Sequence, residues 1–230
     1  MLIIFDVDGT LVGGESADWR AFDQAISSVL GSSLDEAFFA SLDEITARAI
    51  AEAAVRQAGR ETGIGLEETI AEGYLSGLRA AHAADTRVFS ARPQAAELLS
   101  HLRGLPGVDV AIATGDWLPT ISFKLRAAGF DLSGIPIATS SDCYGRSDII
   151  RLAAERAGRS LDDALYVGDG VWDLKATGRL AIPFIGTGHR TPLLEKAGAV
   201  HLHPEFDPAT FVPLARQALA ASPRPGRRGA

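Results

Sequence analysis

The sequence predicts an α/β protein: a doubly wound parallel sheet with an inserted helical subdomain. Three observations carry that expectation. Short apolar runs recur along the chain, stretches with apolar residues at helical spacing separate the later ones, and one long interval contains helical patterns alone.

The first run, "LIIFDV", reads as a strand buried on both faces, as do "VDVAIAT", "IPIATS", "ALYVGD" and "IPFIG" after it. Between the later runs lie "TISFKLRAAGF", "SDIIRLAAERAG" and "WDLKATGRLA", whose apolar residues share one helical face. Strands alternating with helices imply crossover connections and a covered parallel sheet, with ligands at the carboxyl ends of the strands. From about Gly13 to about Val88 the rhythm breaks, leaving only "DWRAFDQAISSVLG", "LDEAFFASLDEITARAIAEAAVRQAG" and "LEETIAEGYLSGLRAAHAA". A structureless connection of that length is disfavoured in a compact domain, so the interval reads as inserted helices. The expected division is a core over 1–13 and 88–218, a helical insertion over 14–87, and a mobile C-terminal tail over 219–230, rich in Pro, Gly and Arg. No internal repeat is visible.

Composition narrows the function. With 230 residues and 47% hydrophobic content the chain can bury a sizeable core. A formal charge of -7 argues against general nucleic-acid binding, which needs a basic face. Cys143 is the single cysteine, which excludes an intramolecular disulfide and a cysteine-cluster metal site. The opening residues already read as strand, and no apolar run is long enough to span a bilayer. The expectation is a soluble cytoplasmic protein, monomer or homodimer, with neither nucleic acid nor membrane as partner.

The chemistry gathers at the ends of the apolar runs. In an extended strand, residues two apart point to the same side, about 7 Å apart, so Asp6 and Asp8 can address one ligand. Gly9 allows a sharp turn, and Thr10 offers a hydroxyl and an amide beside it. The competing account is an Asx-type turn with Asp8 as a cap. A second pair stands in "ALYVGDGVWDLKA": Asp169 ends a strand, and Asp173 returns to the same face after one helical turn, although an acid there can also serve the helix dipole alone. Four carboxylates converging on one crevice repel one another unless a cation sits among them, and hard oxygen ligands suit Mg²⁺. In "VAIATGDWLPT", Thr114 and Gly115 stand beside the free amides of a helix start, an anion site, unless Thr114 or Asp116 merely caps that helix.

"DVDGT", "IATG" and "VGDGVWD", in this order and each ending an apolar strand, resemble the haloacid dehalogenase-like superfamily of phosphohydrolases. The resemblance runs from about Leu2 to about Gly188 and includes a helical cap after the first motif, on a Rossmann-like core. It is nearest to phosphoglycolate phosphatase-like members, a likeness that fixes no substrate. It implies Asp6 as the nucleophile that forms an aspartyl-phosphate and Asp8 as general acid and base. Thr114 would bind the phosphoryl group, with Gly9, Thr10 and Gly115 alongside. Asp169, with Asp173, would hold Mg²⁺ together with Asp6, Asp8 and the backbone carbonyl of Val7.

One position departs from that pattern. The superfamily usually carries a lysine before the helix leading to the second acidic pair, and here the region reads "SSDCYGRSDIIRLAAERAG". Lys124, Lys175 and Lys196 are the only lysines. Lys124 lies well down the helix after Thr114 and is expected away from the phosphate, so Arg146 is the best substitute, with an ordinary exposed arginine as the alternative. A phosphonate-cleaving relative needs a cap lysine, and Gly13 to Val88 has none; a true haloacid dehalogenase lacks the second aspartate, and Asp8 is present. The resemblance therefore implies a Mg²⁺-dependent phosphatase acting on a small-molecule phosphate ester. A phosphomutase with the same intermediate, or a catalytically silent ligand-binding relative, stands as the alternative. A signalling receiver domain is disfavoured by the long insertion. Trp117 and Trp172 could wall the pocket, His201 and His203 read as a strand or surface pair, and Arg20 and Arg48 read as solvated faces of helices.

Overall fold

The computed structural model describes residues 1–222. Its strands are β1 (Leu2–Phe5), β2 (Asp109–Ala113), β3 (Ile137–Ala138), β4 (Ala164–Gly168), β5 (Phe184–Gly186) and β6 (His201–Leu202). They form one sheet in the order β3-β2-β1-β4-β5-β6, parallel throughout. β1 is central, pairing Leu2 with Asp109 on one side and with Ala164 on the other. The order reverses at β1, which opens a crevice above the carboxyl ends of β1, β2 and β4.

Alternation along β1 explains why the run has no polar face. Ile3 and Phe5 enter one apolar cluster with Leu98, Ile121 and Phe211, whereas Leu2 and Ile4 enter the opposite cluster with Ile149, Ile150 and Tyr166. Helices α5 (Ala95–Arg103), α6 (Leu118–Ala127) and α10 (Pro208–Ala221) contribute to the first cluster. Helices α7 (Arg146–Arg156), α8 (Val171–Leu180) and α9 (Thr191–Lys196) contribute to the second. All four side chains of β1 are fully buried, and truncating one such Ile or Leu to Ala costs about 2–5 kcal/mol.

The insertion is helical throughout: α1 (Glu15–Leu30), α2 (Glu36–Ala40), α3 (Ala47–Gln57) and α4 (Ile64–Ala84). Asp35 caps α2 by accepting from the Phe38 amide at 2.8 Å, and Thr46 caps α3 by accepting from Ala49 at 3.1 Å. α1 packs along α4, and their buried Ala17, Phe22, Ile70 and Leu78 join the first core cluster, so the insertion forms a cap continuous with one side of the core. The two connections to the core run side by side, with the Gly13 amide donating to the Ser90 carbonyl at 3.0 Å. Gly14 has φ +102° and its Cα lies against the Val88 carbonyl, so a side chain there would be both strained and obstructed.

Two expectations change at the C-terminal side. A tail starting at 219 is too early, because α10 continues to Ala221 and Leu219 is buried in its packing face; residues 223–230 of that tail lie outside the described residues. "HLHPEF" contributes the edge strand β6, and His203 is buried with Nε2 3.0 Å from the Thr210 hydroxyl, a structural contact. Among the described residues no helix is long and apolar enough to cross a membrane.

Candidate active site

Three strand ends deliver the site. Asp6, Thr114 and Asp169 are each the first residue after β1, β2 and β4, so sheet register sets their spacing. Asp173 comes from the first turn of α8, where its Oδ2 accepts from the Gly170 amide at 3.0 Å, so it caps the helix and faces the crevice at once. Asp6, Asp169 and Asp173 can bring carboxylate oxygens within 4.8 Å of one another. Burial, and then Asp173, push Asp6 up to about 7; burial and Asp6 push Asp169 up to about 7; Asp173, buried and beside Asp169, reaches about 6 despite Arg146.

Arg146, the first residue of α7, is buried among these acids. Its Nη1 lies 2.9 Å from Asp173 Oδ1 and 3.5 Å from Asp6 Oδ2, while Nη2 donates to the Ile45 carbonyl of the cap at 3.0 Å. Burial opposes its charge, but Asp173 and Asp6 outweigh that and hold the guanidinium protonated. Gly115 is required beside it, since a Cβ would collide with the guanidinium. The side chain is thus far from a solvated surface arginine.

Asp8 lines the same cavity but joins a different group of acids. Because β1 ends at Phe5, Asp6 and Asp8 do not share one face of an extended strand; the chain turns at once, and Gly9 takes φ +74°. The Val7 carbonyl accepts from the amides of Thr10, Leu11 and Val12, at 3.1, 2.8 and 2.9 Å, so it is committed to the loop and is not free to ligate a metal as expected. The Gly9 amide is likewise spent on the Val12 carbonyl at 2.9 Å, and the Thr10 side chain is fully buried. Neither Gly9 nor Thr10 is among the residues that line the cavity, and the Thr10 hydroxyl is buried without a hydrogen-bond partner. Gly9 is nonetheless demanded by the site, because its Cα packs directly on the Asp169 carboxylate.

Asp8 joins a second acidic group, with Asp18 of α1 and Asp116 after β2, built around Lys124. Lys124 Nζ is 2.6 Å from Asp8 Oδ1, 2.6 Å from Asp18 Oδ1 and 2.8 Å from Asp116 Oδ2, and donates to the Tyr74 hydroxyl at 3.2 Å. The expectation that Lys124 stands remote from the chemistry is therefore corrected. Asp116, Thr120 and Lys124 are spaced four apart on α6 and its lead-in, so they share a face, and Thr120 donates to Asp116 Oδ1 at 2.8 Å. That spacing was the signal in the sequence; a lysine's long reach hid it. Burial, eased by Lys124, pushes Asp8 and Asp116 above the ordinary carboxylate range, because three acids share one ammonium.

Above both groups lies a cavity of about 740 Å³, bounded below by Asp6, Asp8, Thr114, Gly115, Arg146 and Asp169, and above by the cap. Arg190 lies 3.7 Å from Asp169 and stacks over Trp172 at 5.4 Å; sequence reasoning missed it. Trp172 lines the cavity, whereas Trp117 is buried beneath the cap and donates to Glu67 at 3.0 Å. Arg20 is exposed, and Arg48 pairs with Glu52 and Glu67 on the cap, away from this cavity.

The donor set fits a divalent cation. Asp6 Oδ1 and Asp169 Oδ1 are buried with no hydrogen-bond partner, where three carboxylates offer the hard oxygen donors that such a cation prefers. The same fold occurs in a hydrolase from Pseudomonas syringae (TM-score 0.73, 23% identity, 94% of this chain and 97% of that one). It recurs in CbbY from Rhodobacter sphaeroides, solved with xylulose-(1,5)bisphosphate (0.66, 23%, 89% and 94%), and in β-phosphoglucomutase from Clostridium difficile (0.71, 15%, 95% and 98%). A search of curated proteins returned no match. The family model for haloacid dehalogenase-like hydrolases matches residues 1–179, a span that holds both acidic strand ends, the cap, Thr114 and Arg146, and the chain belongs to that family.

Proposed function

We propose that the protein is a Mg²⁺-dependent phosphatase that hydrolyses a small-molecule phosphate monoester through an aspartyl-phosphate on Asp6. The observation that carries this reading is the pairing of Asp6 with the buried Arg146 at 3.5 Å beside Asp169 and Asp173, with an oxygen of each of the three acids buried and without a hydrogen-bond partner. Asp6, Asp169 and Asp173 would hold the metal, which supplies charge neutralisation for the phosphoryl oxygens.

In the first half-reaction an Asp6 carboxylate oxygen attacks phosphorus, and the bond from phosphorus to the ester oxygen breaks. Asp8 gives its proton to the departing alkoxide, which leaves as an alcohol; burial, opposed by Lys124, raises Asp8 above the ordinary carboxylate range and so favours the acid form that role needs. Water then attacks the phosphorus of the aspartyl-phosphate, Asp8 takes the proton back, and Asp6 is released with inorganic phosphate. Arg146 steadies Asp6 and the charge that develops on the phosphoryl group, and the cap excludes bulk water.

The test is release of phosphate from a panel of monoesters with Mg²⁺ and after exhaustive chelation. Turnover that depends on metal, with trapping of a phosphoenzyme that Asp6→Asn abolishes, is the expected result. Activity unaffected by chelation, or retained by Asp6→Asn, overturns it.

A further inference from the structure

We propose that the cap selects an alcohol that is uncharged and largely apolar, an aryl or alkyl monophosphate, and rejects esters carrying a second anion. This rests on the phosphatase reading of the same site. The cap side of the cavity is walled by Trp19, Phe22, Phe39 and Ile50. Its charged groups are all carboxylates, Glu15, Asp18, Asp35 and Glu36, beside the neutral Thr46 and Tyr74.

A second phosphate or a carboxylate on the leaving group needs a cation to replace its hydration, and a desolvated anion facing like charge is strongly disfavoured. Among the described residues lining the cavity the basic side chains are Arg146 and Arg190, both from the core and both beside Asp6 or Asp169. Lys124 is fully buried and held by three carboxylates. The arginines of the cap, Arg20, Arg48, Arg56, Arg60, Arg79 and Arg87, do not line it. Positive charge is thus confined to the floor, where the transferred phosphoryl group sits, and the roof offers rings and acids. An aromatic or alkyl body gains from burial against those rings. A carboxylated or phosphorylated body meets Asp35 and Glu36 at the first turn of α2, where Glu36 is exposed and free to face it.

A matched set of probes separates the claims. Benzyl phosphate and 4-carboxybenzyl phosphate differ by one carboxylate, and the second should show a kcat/KM lower by about 10²-fold or more. Glu36→Lys should narrow that gap by roughly tenfold, since it replaces like charge with opposite charge. The corresponding benzylphosphonates, measured by calorimetry with Mg²⁺ present, should follow the same order in affinity without any turnover. If the carboxylated phosphonate binds as tightly as the neutral one, or if neither binds, the inference fails whatever the turnover. Ordered phosphonate binding with no hydrolysis of any ester would instead overturn the phosphatase reading and keep the selectivity.

Discussion

Removing the ammonium of Lys124 is the perturbation with the most direct structural consequence. Lys124→Met keeps the length and apolar stem but leaves Asp8, Asp18 and Asp116 facing one another with no cation. Lys124 is fully buried, and the side chains of its partners are 28%, 21% and 7% exposed, so solvent screens these contacts only in part. Breaking a buried ion pair by deleting one partner typically costs about 3–5 kcal/mol, a large part of the roughly 5–15 kcal/mol that holds a domain folded. For a chain of this size, Tm should fall by on the order of 10 °C. The loss should be larger at pH 8 than at pH 5, because Asp8 and Asp116, raised by burial, take up protons more readily at the lower pH and their repulsion is relieved. Scanning calorimetry at the two pH values measures both effects, and Asp18→Asn in the Lys124→Met background should recover part of the loss. A variant that melts within about 1 °C of wild type and turns over normally would falsify the account of Lys124 as the bridge between cap and general acid.

The remaining expectations concern the floor of the site. Asp8→Asn should slow turnover by about 10² to 10⁴ while metal binding, measured by calorimetry, persists, because Asp8 stands in the other acidic group; unchanged turnover would reject its role in proton transfer. Arg146→Ala should lower kcat by roughly 10² or more, with Arg146→Lys recovering a part, and a wild-type rate in the alanine variant would remove Arg146 from the mechanism. In the chelated protein, Asp6 and Asp169 are raised from 3.8 to about 7 and Asp173 to about 6. Folded-state values above the unfolded ones mean that this stabilisation is complete below about pH 4 and is lost as pH rises through 6 to 7. Tm without metal should therefore fall from pH 5 to pH 8, and added Mg²⁺ should restore more at pH 8; a flat or rising Tm would contradict the sign.

Much of this was legible before any coordinates. Five of the six strands announced themselves because each is buried on both faces and carries no alternation to confuse. The edge strand β6 was read only through His201 and His203, as a strand or surface pair. Asp6, Asp169, Thr114 and Arg146 were singled out from strand ends and a helix start, and the fold brings them to one crevice. Asp8 lines the cavity as expected but stands apart from the Asp6, Asp169 and Asp173 group, and Gly9 and Thr10 do not line it, for a single reason. The strand stops one residue before Asp6, so the rule for residues two apart no longer applied, and the loop spends its amides on itself. Asp18 and Tyr74 were invisible, since only the docking of α1 and α4 on α6 carries cap residues to Lys124.

The two buried cations are not interchangeable, and their surroundings say why. Around Lys124 the acceptors come from three directions: a loop after β1, a helix of the cap and the turn after β2. A compact ammonium with three donors can meet all of them from one point, whereas a planar guanidinium cannot turn three ways at once. Around Arg146 the partners are spread instead, with Asp6 and Asp173 against one nitrogen and the cap carbonyl of Ile45 against the other. A flat, forked cation spans that distance without leaving the crevice, and an ammonium at the same helix position would reach one end only. Each cation also ties a cap segment to an acid to which a catalytic role is proposed, Asp18 to Asp8 through Lys124 and Ile45 to Asp6 through Arg146. Docking of the cap and placement of Asp6 and Asp8 are therefore one event, and on the proposed mechanism loosening either tie should disorder the chemistry before it unfolds the core.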